Sequence, residues 1–281
     1  MIQTVCVCGA GTMGSGIAQA TAQCGIPTRL FDLNTEALKR AEDAIRNNLA
    51  SLVSKQKLSS EEAEATLQHL QFTAAVNDCH ADLIIEAIVE KQEAKVALFQ
   101  QLCVVNDNST IFASNTSSLS ISQLQQELIH PERVAGLHFF NPAAIMKLVE
   151  VVKGVHTADS VIHELTLFCS RLNKTAVVCK DAPGFIVNRV ARPYYIEALR
   201  LAEEGLADYT TIDAVMEACG FKMGPFRLMD LIGNDINYAV SCSVYDQLGQ
   251  PDRLKPSYLQ EEKVKSGKLG RKTGEGYYPY K

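Results

Sequence analysis

Near its start the chain places a strand-like run, Gln3 to Cys8, directly before Gly9-Ala10-Gly11-Thr12-Met13-Gly14, and a helix-forming stretch follows at once. Glycines at this spacing between a strand and a helix restrict the fold severely. Gly9 permits the tight turn, Gly11 lets backbone approach a ligand, and Gly14 allows the helix to pack closely on the strand. A second strand-like run ends at Asp32, about twenty residues on, where a carboxylate can accept hydrogen bonds from a ribose diol. Strand, glycines, helix, strand and acid together predict a dinucleotide seated on a helix N-terminus, where free N–H groups and the helix dipole favour its pyrophosphate. The expected fold is α/β, a Rossmann-type doubly wound sheet. Thr12 and Met13 fall inside the same loop and count among its cofactor contacts. Asp32 favours NAD over NADP, because it repels a 2′-phosphate and no arginine follows it within seven residues; Arg29 precedes it but belongs to the strand.

The rest of the first half keeps the rhythm of a parallel sheet wrapped by helices. Strands are expected over 3–8, 28–32, 83–87, 110–113, 134–139, 148–152 and 176–179. From Thr35 to His69 the sequence is polar, helix-forming and too long for an ordinary crossover, so it reads as a projecting helical hairpin. Beyond Cys179 strand signals disappear. One long helix is expected between Pro183 and Gly205, with Pro193 inside it to kink it, followed by helices over 211–219 and 225–248. The domains predicted are therefore residues 1–181, nucleotide-binding, and 182–281, all-helical.

The segment AGLHFFNPAAIMKLVE, from Ala135 to Glu150, carries a candidate for chemistry. His138 ends one apolar run, Asn141-Pro142 reads as a turn, and Glu150 lies twelve residues on in a second run, LVEVV, so the two could face one another across a cleft. A carboxylate beside an imidazole favours the imidazolium and holds the ring in one tautomer. The alternative is a buried histidine with an unrelated surface glutamate.

Composition narrows the classes of function. A net charge of −5 gives no general reason to bind nucleic acid or an anionic membrane, and no apolar run approaches spanning length. Nine cysteines without metal-type spacing fit reduced thiols, with no metal site expected, and Cys6 and Cys8 read as small core residues on one strand face. A strand beginning directly after Met1 leaves no room for a leader, so a cytoplasmic location is expected.

GAGTMGSGIAQ, EAIVE, ASNTSSLSI, GLHFFNP, MKLVEVV, APGFIVNR, MGPF and GRKTGEG, in this order along nearly the whole chain, resemble the 3-hydroxyacyl-CoA dehydrogenases. The resemblance implies NAD-dependent, reversible oxidation of an (S)-3-hydroxyacyl-CoA, with His138 as catalytic base, Glu150 as its partner, Ser117 bonding the substrate oxygen and Asn188 orienting substrate and histidine. It implies cofactor contacts from Asp32, Glu90, Lys95, Ser117, Asn141 and Lys272, and a homodimer formed through the C-terminal helices, where Leu228, Leu231, Ile232, Ile236 and Val240 give a broad apolar face. It also places coenzyme A contacts in the hairpin, where Lys55 and Lys57 are basic, although Asn48 stands at the family's serine position. NRVARPYY looks more like the 3-hydroxyadipyl-CoA dehydrogenases than the 3-hydroxybutyryl-CoA enzymes, which makes Arg192 a candidate anchor for a distal carboxylate; the alternative is an arginine bonded within its own domain. Two other functions remain open at this point. A sugar-acid 3-dehydrogenase of the same superfamily would share the histidine and glutamate, and a non-catalytic NAD-binding protein would be expected to lack them.

Overall fold

The computed structural model describes residues 1–280 and divides the chain into two compact units, one of residues 1–181 and one from Ala182 onward. In the first unit eight strands form one sheet: β1 (Val5–Cys8), β2 (Thr28–Phe31), β3 (Leu70–Thr73), β4 (Leu83–Glu86), β5 (Ile111–Ser114), β6 (Val134–Phe139), β7 (Leu148–Lys153) and β8 (Thr175–Lys180). Their order is β3-β2-β1-β4-β5-β6-β7-β8. The chain order reverses beside β1, which pairs with β2 on one side and β4 on the other, so the glycine loop leaves the sheet at its topological switch point. Strands from β3 to β6 are parallel, β7 runs antiparallel to β6, and β8 is parallel to β7. Every residue of β1, β4, β5 and β6 is buried, as expected when a sheet is covered on both faces.

The helices of this unit are α1 (Thr12–Gln23), α2 (Thr35–Ser54), α3 (Ser60–Gln68), α4 (Gln92–Val105), α5 (Ile121–Gln126) and α6 (Asp159–Arg171). The Asn34 side chain starts α2 by accepting from Glu36 and Ala37 N–H groups, and a Ser59/Glu62 capping box starts α3. The segment read as a projecting hairpin is a pair of helices, α2 and α3, joined by a short turn. Leu38, Ala41, Ile45 and Leu49 recur at helical spacing and join the main core, while the outward side of α2, the turn around Lys55 to Lys57 and most of α3 are exposed. The chain then enters β3, an edge strand the sequence analysis lacked: LQFT is short, polar at alternate positions and only partly buried. Cys6 and Cys8 are buried core residues, and all nine cysteines are free.

The second unit contains α7 (Val187–Glu203), α8 (Tyr209–Ala218), α9 (Pro225–Ile232), α10 (Asn234–Gln247) and α11 (Tyr258–Lys265). The single helix expected over 225–248 is two, because Gly233 sits at φ 103°, a left-handed conformation that ends α9 and that a side chain would strain. Helix α11 was also missed. Two buried acids hold this unit together. Asp213 accepts from the Phe226 and Arg227 N–H groups at the start of α9 and from the Tyr278 hydroxyl. Asp230 accepts from the Asn234 amide, the Tyr277 and Tyr278 N–H groups and the Tyr280 hydroxyl, which pins the chain's last turn.

Candidate active site

At the switch point a cavity of about 690 Å³ is bordered by Gly9, Gly11, Thr12, Asp32, Ile88 and Val89, with Ala37, Arg40, Ala41 and Ala44 of α2 on its far wall. Two of the three loop glycines are demanded by the protein's own packing. Gly9 lies at φ 107° with the Ala87 carbonyl oxygen 2.5 Å from where a Cβ would stand, and a Cβ on Gly14 would meet the Gly9 oxygen at 1.7 Å. Gly11 differs, since nothing lies within 4 Å of its missing side chain. Its bareness keeps the approach to α1 open. Among the described residues no side chain caps α1 and no acid occupies its first turn, so its leading N–H groups suit an anion. The loop therefore fits the pyrophosphate of a dinucleotide. Thr12 lines the cavity, whereas the Met13 side chain packs towards the core and leaves only backbone for contact.

Asp32 does two things. Its carboxylate accepts from the Ala10 N–H at 2.8 Å and the Asn34 N–H at 2.9 Å, which fixes the loop and the entry to α2. Carboxylate oxygens carry further lone pairs, so acceptors remain for a ribose diol. Arg29 turns away, donating to Gln71 and to the His80 carbonyl.

At the C-terminal ends of β4 and β5 lies a cluster of buried charge. Glu86, fully buried, accepts from Lys95 at 2.6 Å, from the Ser114 hydroxyl at 2.6 Å and from the Ile88 N–H at 2.7 Å. Lys95 also pairs with Glu90 at 3.1 Å. Glu90 in turn accepts from the Thr116 hydroxyl, the Ser117 N–H and the Ser117 and Ser118 hydroxyls. Burial alone would raise the Glu90 carboxyl, but Lys95, Thr116 and Ser117 more than offset it and hold the group below the usual glutamate range. Lys95, expected to contact the cofactor directly, has a side chain only 1% exposed and paired with two glutamates. It positions Glu90, and through Glu90 the Ser117 loop. Glu86 went unrecognised in the sequence; an acid closing the apolar run LIIE, nine residues before a lysine, was the available signal.

His138 and Glu150 are cross-strand neighbours. They sit directly opposite in the antiparallel β6/β7 register, and His138 Nδ1 lies 2.7 Å from Glu150 Oε2. They stand side by side on one sheet face rather than across a cleft. His138 is 6% exposed and Glu150 1%, so the pair interacts away from bulk water. The Phe140 ring tilts over the imidazole at 4.5 Å between centroids, and the Asn115 side chain accepts from the Phe139 N–H, tying the end of β6 to the loop that carries Ser117. With Nδ1 held by the carboxylate, proton exchange with a substrate falls to Nε2. Asn141 follows at the exposed turn after β6, where Ala143 packs on Gly16 of α1 and Lys174 donates to the Ala143 and Met146 carbonyls. Lys174 was another residue the sequence did not single out.

The remaining predicted positions have other settings. Lys55 caps α2 and is exposed, and Asn48 donates to Gln19 of α1. In the second unit Asn188 stands in the first turn of α7, where its carbonyl accepts from Arg192 Nε. The distal-carboxylate anchor expected of Arg192 is not what its surroundings offer. Its side chain is buried, Nη1 donates to the Asn237 carbonyl and the Ser241 hydroxyl, and the guanidinium covers the Tyr195 ring, so it ties α7 to α10. Lys272, expected to contact cofactor, is paired with Asp235 within the same unit at 2.6 Å.

A glycine loop open to an anion, an acid at the ribose position and a buried histidine–carboxylate pair at the same edge of one sheet define a dinucleotide-dependent dehydrogenase. The comparisons agree. Residues 4–182 match the family model described as 3-hydroxyacyl-CoA dehydrogenase, NAD binding domain, and residues 184–280 match that of the family's C-terminal domain. The chain belongs to the 3-hydroxyacyl-CoA dehydrogenase family, as an NAD-dependent oxidoreductase. It is 49% identical to the 3-hydroxyadipyl-CoA dehydrogenase of Escherichia coli K12, over 100% of this chain and 59% of that protein, so it spans well under two thirds of that relative. It is 42% identical to the mitochondrial hydroxyacyl-coenzyme A dehydrogenase of Rattus norvegicus, over 100% of this chain and 92% of that protein. The crystal structure of (S)-3-hydroxybutyryl-CoA dehydrogenase from Ralstonia eutropha superimposes with a TM-score of 0.95 at 36% identity, covering 100% of both chains.

Proposed function

We propose that this chain catalyses the reversible oxidation of (S)-3-hydroxyacyl-CoA thioesters to 3-ketoacyl-CoA. The observation that carries the reading is the buried His138–Glu150 pair at 2.7 Å, at the strand edge that also bears the nucleotide loop. NAD, when bound, accepts hydride from the alcohol carbon and in its reduced form returns it. His138 takes the hydroxyl proton at Nε2 and gives it back to the carbonyl oxygen in the reverse direction. Glu150 fixes the ring and stabilises the imidazolium that forms. Ser117, whose N–H is held by Glu90, would turn its hydroxyl from Glu90 to the oxygen where charge develops. The exposed Lys55 and Lys57 offer cations to the phosphates of coenzyme A.

The identity shared with the 3-hydroxyadipyl-CoA enzyme favours a dicarboxylic acyl chain, with 3-hydroxybutyryl-CoA as the other substrate, and any distal carboxylate would need a partner other than Arg192. A homodimer through the second unit is supported by apolar side chains it leaves exposed. Leu231 is 48% and Ile236 52% exposed, where the sequence suggested a buried face. Nine free cysteines fit a cytoplasmic protein. The test is NADH oxidation with acetoacetyl-CoA against free 3-keto acids, then with 3-ketoadipyl-CoA. Turnover only of free acids would refute the thioester assignment.

A further inference from the structure

Arg40 is the eighth residue after Asp32, one beyond the stretch in which an arginine was sought. It lies one turn into α2, and the fold brings that turn back over the nucleotide site, so that Asp32 and Arg40 border the same cavity. Arg40 is loosely held. Among the described residues its only ion pair is with Glu36 at 3.8 Å, and both side chains are largely exposed, a pairing that restrains a guanidinium little. Asp32, in contrast, is fixed by the Ala10 and Asn34 N–H groups. Small side chains at Ala37, Ala41 and Ala44 leave the wall around Arg40 open.

Resting on the dinucleotide reading of this cavity, we propose that Asp32 and Arg40 form an opposed pair that sets the choice between NAD and NADP. The fixed carboxylate accepts the ribose diol and repels a 2′-phosphate. Arg40, lining the same cavity, can take that phosphate once the repulsion is removed, since guanidinium and phosphate pair through two parallel hydrogen bonds. The chain thus holds half of an NADP site, kept silent by one acid. Glu36 competes only weakly for the same guanidinium.

Direct fluorescence titration of NADH and NADPH on the full chain tests this without any thioester, so its outcome is separate from that of the proposed activity. Asp32→Asn keeps an acceptor for the Ala10 N–H and removes the charge. It should shift the affinity ratio towards NADPH by about 10- to 100-fold, the size of one charge-assisted hydrogen bond gained or lost. Adding Arg40→Ala should return most of that shift, and adding Glu36→Gln should enlarge it. An unchanged ratio on adding Arg40→Ala overturns the proposal. Should Asp32→Asn loosen the loop and lose both nucleotides, Arg40→Glu in the otherwise native chain decides. It should widen the preference for NADH, and an unchanged ratio there also overturns the assignment.

Discussion

Both units bury carboxylates, but they give them different partners. In the first unit Glu86 meets a lysine and Glu150 a histidine, side chains that can carry or exchange charge. In the second, Asp213 and Asp230 are met mainly by backbone N–H groups and tyrosine hydroxyls. An acid answered by fixed donors has one function, holding chain segments together. An acid answered by a polar or ionisable side chain orients that group, from Glu86 through Lys95 and Glu90 to Ser117, and from Glu150 to His138. The nucleotide-binding unit pairs its buried acids with ionisable side chains, and the helical unit uses them as staples.

Substitutions can break this contrast. His138→Gln should lower kcat by about 10³- to 10⁴-fold, because a general base is lost, while NADH titration and thermal unfolding stay near native. Near-native turnover would remove His138 from the mechanism. Asp230→Ala strands several buried donors and should cost the helical unit about 3 kcal/mol or more, read as an earlier unfolding transition in urea. A kcat that fell while stability held would place Asp230 in the chemistry and end the division drawn here. Glu150→Gln should lower kcat about 10²-fold with little change in stability, since the amide keeps the shape and removes the charge that favours the imidazolium. Glu90→Gln should have the smallest effect. With its folded carboxyl held low, Glu90 adds stability that is complete above the ordinary value of 4.5 and fades as the pH falls through its depressed folded value. Urea midpoints of the variant should therefore match wild type most closely at low pH and fall behind it above about pH 4.5. A difference independent of pH would show that the Glu90 charge contributes nothing.

Most strands were legible because parallel strands buried on both faces read as unbroken apolar runs. β3 was not, being a polar edge strand, and the division of one expected helix at Gly233 was hidden because a lone glycine in an apolar helical pattern does not announce its backbone angle. The His138–Glu150 pair was legible as two residue types, but its register was not. Twelve residues separate them, and whether strands align them or offset them by one position depends on the turn between.

What the sequence determined by itself is local chemistry: the glycine loop, the acid after the second strand, the histidine and the glutamate, each recognisable because short-range backbone needs and residue type coincide. Tertiary structure alone decided which charges meet. It buried Lys95 between two glutamates, committed Arg192 to carbonyls and a hydroxyl of its own unit, and brought Arg40 to the cavity that Asp32 lines. The reason is physical: the partner of a charged side chain is fixed by burial and by what packing brings within hydrogen-bond reach, and neither is a property of neighbouring residues in the chain.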